Sequence, residues 1–187
     1  MHRILNIAGN ENNNVDLIEH PKADFIFITS VKADINIISD LIEDKEFLLF
    51  QDNFRALEIS NLNTFAQIDN YFLKTINYAK VVVLRLFGDK GTWSYGIENL
   101  IKWKELNINR TLLILSGTEE QDLSLNELSS INLDTSIKIT KLLRSGGREN
   151  YKRFLYCLKY LLSNENNIPN KYTSYVSYPD PYLYDWK

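Results

Sequence analysis

The chain has 187 residues, of which 44% are hydrophobic and 24% are charged, and its formal net charge at pH 7 is −3. This composition excludes an intrinsically disordered chain, and the length predicts one domain whose core needs neither a disulfide nor a metal in order to fold. Its lysines and arginines are scattered rather than clustered, so the charge pattern does not indicate a nucleic-acid-binding protein.

Strand and helix patterns alternate from the start of the chain. Short apolar runs predict five strands, at residues 3–8, 24–29, 55–59, 81–84 and 111–115. Apolar residues recur at helical spacing after the second strand, at Ile35, Ile38, Leu41 and Ile42. Thr64 and Gln67 form a capping box that predicts the start of a further helix. The alternation favours an α/β fold: a mainly parallel, doubly wound, flavodoxin-like sheet of about five strands with helices on both faces.

The run at residues 81–84 (VVVL) is apolar on both faces, which predicts a central strand that is buried on both sides. Residues 88–92 have the composition of a turn, and a helix with an apolar stripe follows them. Ligands bind at the loops that leave the carboxyl ends of parallel strands. The candidate surface predicted at this edge consists of Arg85, Gly88, Gly91, Trp93 and Tyr95.

A second polar loop, at residues 116–120, leaves the strand at 111–115, and the two loops are expected to form one rim of the sheet. This loop adds Glu119 to the candidate site. For the carboxylate pairs at 24/34, 40/43 and 119/120, solvated surface positions are favoured over acid-base catalysis, because none has a catalytic arrangement.

The rest of the chain is predicted to hold short helices at residues 122–131 and 136–143 and a longer helix with Tyr151 on its apolar stripe. From residue 164 the sequence is rich in proline, tyrosine and asparagine, which predicts a linker or a strap across the surface. The expected organisation is therefore an α/β domain at 1–163 and a linker or strap at 164–187 that leads to a downstream domain.

Several kinds of site lack their sequence signature. Neither G-x-G-x-x-G nor G-x-x-x-x-G-K-[ST] occurs, so no dinucleotide or ATP phosphate loop is predicted. His2 and His20 lack ligand spacing and are expected to be exposed loop residues, and Cys157 is expected in the core, so no metal site is predicted. No stretch approaches the roughly 20 apolar residues of a membrane span, and no signal sequence precedes the first strand, so we expect a cytoplasmic protein.

Three segments carry a resemblance to a known family. They are RLFG at 85–88 with Gly91 and WSYGIE at 93–98, SGTEE at 116–120, and GGREN at 146–150 with LKYL at 158–161. In order and spacing they resemble the amino-terminal region of the cobaltochelatase large subunit CobN, a relative of the magnesium-chelatase H subunit. The family usually has proline where Ser94 stands, and we expect the Ser94 hydroxyl to cap the helix instead.

The resemblance implies the amino-terminal domain of a much longer subunit that inserts Co²⁺ into a corrinoid precursor, hydrogenobyrinic acid a,c-diamide, in cobalamin biosynthesis. It implies that ATP and Mg²⁺ are handled by AAA+ ATPase and associated chelatase subunits, and that this domain binds no cofactor. No set of residues for metal insertion occurs in this chain, so we expect its catalytic centre downstream and only a scaffold or substrate-enclosing role here. The partners implied are the remainder of the subunit, the ATPase subunits and the corrinoid.

Other interpretations stay open at this point. The chain is alternatively a flavodoxin-like or receiver-like binding module, a pure interaction domain, or part of the large subunit of magnesium chelatase. For Arg85, a role in tying down the loop is favoured over contact with a ligand carboxylate or amide. Trp93 is favoured as a core residue, and Tyr95 as a surface contact.

Overall fold

A computed structural model describes residues 17–118, 123–163 and 168–178 of the chain. The strand predicted at residues 3–8 lies outside these ranges, as do His2 and Glu119. Four strands are described, namely β1 (Phe25–Thr29), β2 (Phe54–Glu58), β3 (Val81–Leu86) and β4 (Thr111–Ser116).

The four described strands form one parallel sheet in the order β2-β1-β3-β4. Phe27 pairs with Ala56 on one side and with Val83 on the other, which fixes the register across the centre of the sheet. The chain first winds outward from β1 to β2 and then returns to place β3 on the other side of β1. This confirms the predicted α/β fold with a doubly wound parallel sheet; four strands are described where about five were predicted.

Helices cover both faces of the sheet. They are α1 (Lys32–Ile42), α2 (Leu48–Gln51), α3 (Phe65–Lys74), α4 (Ser94–Glu105), α5 (Leu123–Asn126), α6 (Leu133–Ser145), α7 (Arg148–Leu162) and α8 (Asn170–Thr173). We call the face covered by α3 and α4 the first face, and the face covered by α1, α6 and α7 the second face. None of the described helices is long and apolar enough to cross a membrane.

Side chains of the central strand β3 alternate between the two faces of the sheet, because successive residues of a strand point in opposite directions. Val82 and Leu84 pack in the cluster of the first face, whereas Val81 and Val83 pack in the cluster of the second face. Every residue of β3 is buried, which confirms that residues 81–84 form a central strand. Arg85 follows the same alternation and therefore emerges on the second face.

Of the two helix caps predicted from the sequence, one is confirmed and one is wrong. The capping box is confirmed, because the Thr64 hydroxyl accepts from the Gln67 backbone N–H and the Gln67 side chain bonds back to Thr64. The predicted Ser94 cap is wrong, since Ser94 is already the first residue of α4. A 3₁₀ turn at Lys90–Trp93 precedes it, and Asp89 caps that turn by accepting from the Gly91 N–H at 2.8 Å. The capping side chain is therefore a carboxylate, and it lies about one turn earlier than the predicted hydroxyl.

The carboxyl-terminal helices differ in length from the predicted ones, one being longer and one shorter. The helix predicted at 136–143 is α6, which continues to Ser145, and the helix predicted at 122–131 is only the short α5. In the described part of the tail, residues 168–178 pack along α7, where the Tyr172 ring stacks on Tyr156 at 4.5 Å. Residues 168–178, which include the helical turn α8 that was not predicted, are called the strap below; the division of the chain at residue 163 stays a prediction.

Candidate functional site

A cavity of about 750 Å³ lies at the carboxyl ends of β3 and β4, on the second face of the sheet. It is lined by Arg85, Phe87, Gly117, Thr118, Lys141, Arg144, Ser145 and Tyr175. These residues come from the two loops that leave the strands, from the end of α6 and from the tail. The position is the edge at which doubly wound sheets bind ligands, and the volume lies in the range of small-molecule sites. We call this feature the edge cavity.

The inner wall of the edge cavity is a buried ion pair. Arg85 Nη1 donates to Asp34 Oδ1 at 2.6 Å, and the two side chains are only 7% and 0% exposed. The Asp34 carboxylate also accepts from the Thr29 hydroxyl at 2.8 Å and from the Tyr151 hydroxyl. Burial, followed by the hydrogen bond to Asp34, raises the pKa of Tyr151 above its ordinary value, so this phenol stays neutral. The Asp34 carboxylate thus accepts hydrogen bonds from three side chains.

Asp34 is a residue that sequence reasoning placed wrongly. Asp34 was expected on a solvated surface, yet it is fully buried. A signal was present, because Asp34, Ile38 and Leu41 are spaced i, i+4 and i+7 and therefore share the inward face of α1. The spacing indicates a buried carboxylate, and a buried carboxylate requires a partner such as Arg85.

The Arg85 guanidinium is only partly paired. Its Nε is buried and has no hydrogen-bond partner among the described residues. The preference for a structural role of Arg85 is compatible with the ion pair to Asp34, but the partner is a side chain of α1 rather than the loop itself. Contact of Arg85 with a ligand stays a prediction.

The outer wall carries two further cations that were missed from the sequence. Lys141 is exposed and Arg144 is half-buried, and both line the edge cavity from the last turns of α6. Neither forms an ion pair with any residue in the described ranges. Their i, i+3 spacing places them on one side of the helix, but the predicted helix ended at residue 143 and concealed this.

Gly88 and Gly91 form the turn after β3. Gly88 has φ of +95°, a backbone conformation that favours glycine, and a Cβ there would collide with the Thr92 hydroxyl. Both glycines are exposed and neither lines the edge cavity. The two glycines therefore allow the tight turn that reverses the direction of the chain between β3 and α4.

Trp93 and Tyr95 lie on the first face of the sheet. Trp93 is 8% exposed and its indole N–H donates to the Leu62 carbonyl at 3.2 Å, as expected of a core residue. The Tyr95 hydroxyl donates to Asp69 at 2.6 Å, and its ring contacts Phe65 at 4.6 Å between centroids. The hydrogen bond to Asp69 is the main cause that raises the pKa of Tyr95.

The sheet therefore divides the predicted surface into two. Arg85 points to the second face and the edge cavity, whereas Trp93 packs in the cluster of the first face and Tyr95 contacts α3 there. Residues eight to ten positions apart in sequence are separated in this way because β3 alternates between faces and α4 returns over only one of them. Glu119, the remaining predicted site residue, lies outside the described residues.

His20 and Cys157 complete the potentially reactive side chains. His20 is half-buried rather than exposed as predicted: its Nδ1 lies 2.9 Å from the Tyr71 hydroxyl, and burial, followed by the charge of Arg55, lowers its pKa. Cys157 is buried as predicted, and burial raises its pKa to about 12, so the thiol is unreactive. Within the described ranges no group of three or more His, Cys, Asp or Glu side chains is placed to hold a metal ion.

Comparison with known proteins gives a consistent result. No family model matches the chain. The chain is 30% identical over 110 residues to the aerobic cobaltochelatase subunit CobN of Pseudomonas aeruginosa, a match that covers 57% of the chain and 9% of that protein. Its fold is similar to the catalytic subunit of cobaltochelatase from Mycobacterium tuberculosis, with a TM-score of 0.58 and 19% identity over 85% of the chain and 12% of that subunit.

These matches confirm the resemblance to the cobaltochelatase large subunit. Because its sequence identity is low, the structural match shows similarity of fold only. The resemblance in sequence rests on the 110 matched residues. The chain spans about a tenth of the length of either relative.

Proposed function

We propose that this chain acts as the amino-terminal domain of a cobaltochelatase large subunit in the cytoplasm. In this proposal the complete subunit inserts Co²⁺ into a corrinoid precursor, hydrogenobyrinic acid a,c-diamide, during cobalamin biosynthesis. ATP and Mg²⁺ are handled by AAA+ ATPase and associated chelatase subunits. The domain itself binds no cofactor and serves as a scaffold that helps to enclose the substrate.

The observation that carries the proposal is the 30% identity to CobN over 110 residues. The fold match supports it, because it extends the likeness to 85% of the chain. The division of labour is supported by the lack of a phosphate-loop signature in the sequence. Metal insertion also requires groups that remove the pyrrolic protons and deliver the ion, and these are expected in the downstream part of the subunit.

The first test is to read the gene beyond Lys187. The proposal expects an open reading frame that continues into the remaining domains of a chelatase large subunit, or an adjacent gene that encodes them.

The second test is cobalt insertion by the reconstituted complex. We expect the complete subunit with its ATPase partners to convert hydrogenobyrinic acid a,c-diamide when Co²⁺ and ATP are present, and the 187-residue chain alone to show no turnover. Removing this domain from the complete subunit should lower the rate, and adding the separate chain should restore part of it. Insertion of Mg²⁺ into a porphyrin by the same complex, without cobalt insertion, would assign the chain to a magnesium chelatase instead.

A second candidate function is that of a self-contained ligand-binding module. The observation that favours it is the edge cavity, which is formed by this chain alone at the ligand-binding edge of a flavodoxin-like sheet. The two candidates are compatible if the cavity contacts a ligand inside the larger subunit. They separate if the isolated chain binds a ligand and its removal leaves cobalt insertion unchanged.

A further inference from the structure

We propose that the edge cavity binds a small molecule that carries carboxylate groups on an apolar, planar body. The inference goes beyond the proposed function, because it names a site and a ligand class that belong to this chain alone. It rests on the charges, the aromatic side chains and the hydrogen-bond donors of the cavity wall.

The described part of the wall is positively charged. The Asp34 carboxylate neutralises Arg85, but among the described residues no acidic side chain lines the cavity beside Lys141 and Arg144. Two cations on one side of a helix, without an ion-pair partner in the described ranges, repel each other unless an anion lies between them. A concave, partly desolvated wall strengthens the attraction for such an anion.

Arg85 adds a donor that is already in place. Its side chain is 93% buried, since 7% of its surface is exposed, and the Asp34 contact holds it against the cavity. Its Nε is fully buried and has no partner among the described residues, so a ligand would meet the small part of the side chain that stays exposed at the cavity. An acceptor that approached there would find the guanidinium already fixed in place.

Two aromatic side chains give the cavity its apolar part. Phe87 is 46% exposed and Tyr175 is 51% exposed, and both line the cavity together with the cations. The position of Phe87 depends on Gly117, because a Cβ at residue 117 would lie 2.7 Å from the Phe87 ring. Exposed aromatic faces next to cations suit a ligand whose flat apolar body carries negative groups at its edge.

The backbone of the wall favours carboxylate over phosphate. Phosphate sites use several free backbone N–H groups, usually at a helix amino terminus. Here the Gly117 N–H donates to the Leu86 carbonyl at 2.8 Å, and the Thr118 N–H donates to the Ser116 hydroxyl at 3.4 Å. The helix at the cavity, α6, contributes its carboxyl-terminal end, whose dipole opposes a phosphate dianion more strongly than a single carboxylate. Recognition of the anion is therefore left to the side-chain cations, which bind carboxylates as well as phosphates.

The test is a titration of the complete 187-residue chain, followed by amide NMR and calorimetry, with four probes of defined chemistry. Benzene-1,3,5-tricarboxylate has the flat body and the charges, benzene-1,3,5-tricarboxamide has the body alone, citrate has the charges alone, and inorganic phosphate is a different anion. We expect the aromatic tricarboxylate to bind most tightly and to shift the amides of Gly117, Thr118 and Ser145. The tricarboxamide should bind at least about tenfold more weakly, the loss expected for one charge-assisted contact.

The matched variants are Lys141→Gln/Arg144→Gln and Lys74→Gln/Lys102→Gln. Both remove two positive charges from helices, but Lys74 and Lys102 are exposed on α3 and α4, on the other side of the sheet. The first variant should weaken tricarboxylate binding roughly tenfold for each cation. The second should leave binding unchanged. Arg85 is kept in every variant, because its removal would leave Asp34 without its cation.

Several outcomes would overturn the proposal. They are the absence of binding of the tricarboxylate, equal binding of the tricarboxylate and the tricarboxamide, tighter binding of phosphate, and equal effects of the two variants. Loss of stability in the Lys141→Gln/Arg144→Gln variant with unchanged binding would assign these cations to the α6 dipole alone.

A final arm distinguishes the source of the carboxylates. Titration with hydrogenobyrinic acid a,c-diamide tests whether the substrate of the proposed function supplies these carboxylates. If it shifts the same amides, the edge cavity is a substrate-binding site of the proposed chelatase. If only the simple tricarboxylate binds, the cavity serves another small carboxylate and the inference stands. Because all binding is measured on the isolated chain, failure of cobalt insertion would affect the proposed function and not this site.

Discussion

The pair formed by Arg85 and Asp34 shows how one residue links the sheet to its surrounding helices. Arg85 belongs to β3, Asp34 to α1, and Tyr151, which donates to the same carboxylate, to α7. Three elements of the second face thus meet at one buried charge. Breaking such a pair from one side leaves a charge without its counterion, which costs far more than the pair contributes when it is whole.

Replacement of Arg85 by methionine should therefore lower the free energy of unfolding by about 3–5 kcal/mol. The double variant Arg85→Met/Asp34→Leu should cost less than Arg85→Met alone, because it also removes the buried charge, and only the Thr29 and Tyr151 hydroxyls then lose their acceptor. Urea unfolding of both variants measures these differences. Lys80→Met is the control, since the Lys80–Asp24 pair is largely exposed and should contribute at most about 1 kcal/mol. Equal losses for Arg85→Met and Lys80→Met would contradict the prediction.

His20 is expected to make stability depend on pH. Its folded-state pKa is lowered from 6.5 by burial, so the unfolded chain takes up the proton first as the pH falls. Stability is then complete above the unfolded pKa and declines as the pH drops below it towards the folded pKa. The variant His20→Gln has no proton to take up, so its urea midpoint should fall less than that of the wild type between about pH 7.5 and pH 5. Parallel curves for the two proteins would rule out this role.

At the scale of elements, Asn150 connects α7 to the tail. It is fully buried, its amide N–H₂ donates to the carbonyls of Gly146 and Val176 at 2.7 and 2.8 Å, and its carbonyl accepts from the Val176 N–H at 2.7 Å. One side chain therefore satisfies backbone groups of the α6–α7 turn and of the strap. These contacts, together with the stacking of Tyr172 on Tyr156, hold residues 168–178 beside the edge cavity, where Tyr175 forms part of the wall.

Replacing Asn150 by alanine should destabilise the protein by about 1–3 kcal/mol, because it leaves partly buried backbone groups of Gly146 and Val176 without this partner. Hydrogen exchange should accelerate at the Val176 amide, which loses its acceptor, while the amides of β3 should respond only through the global loss of stability. Asn109→Ala is the matched control, since Asn109 is exposed and its side chain has no hydrogen bond in the described ranges. Unchanged exchange at Val176 in Asn150→Ala would show that other contacts hold the strap.

The elements also show what the sequence predicts and where it stops. Residues 81–84 were predictable as a central strand, and Thr64 with Gln67 as a helix start, because both signals are local and lie within a few residues. The strand order and the burial of Asp34 depend on packing between distant segments. Ser94 failed as a cap for a related reason, since Asp89 had already stabilised the preceding turn.

In the candidate site, too, the local signal was predictable from the sequence, whereas the packing between distant segments was not. The sequence located Arg85 at a strand end, and the structure places it in the edge cavity. Lys141 and Arg144 come from a segment more than fifty residues later, and only the doubly wound topology brings α6 beside the loop after β3. No local pattern marks two such cations as members of one wall, because solvated helices carry the same residues at the same spacing.

At the scale of the whole molecule, the sheet separates two clusters of the core. Leu100 on α4 is fully buried in the cluster of the first face, and Leu158 on α7 is fully buried in that of the second. Both clusters include side chains of β1, β3 and β4, so each strand contributes to two cores at once. A loss on one face should weaken the sheet that the other face also requires.

Unfolding should consequently be cooperative across the sheet. Trp93 and Trp103 both lie in the cluster of the first face, so in a Trp186→Phe background their fluorescence reports that face alone. In this background, Leu100→Ala and Leu158→Ala should each lower the free energy of unfolding by about 2–5 kcal/mol. If the domain is one cooperative unit, Leu158→Ala, on the opposite face, should shift the fluorescence transition and the far-ultraviolet circular dichroism transition by the same amount. Because the two leucines lie in separate clusters on opposite faces of the sheet, the double variant should lose about the sum of the single losses. A fluorescence transition that stays at its original midpoint in Leu158→Ala, while circular dichroism shifts, would show that the two faces unfold independently.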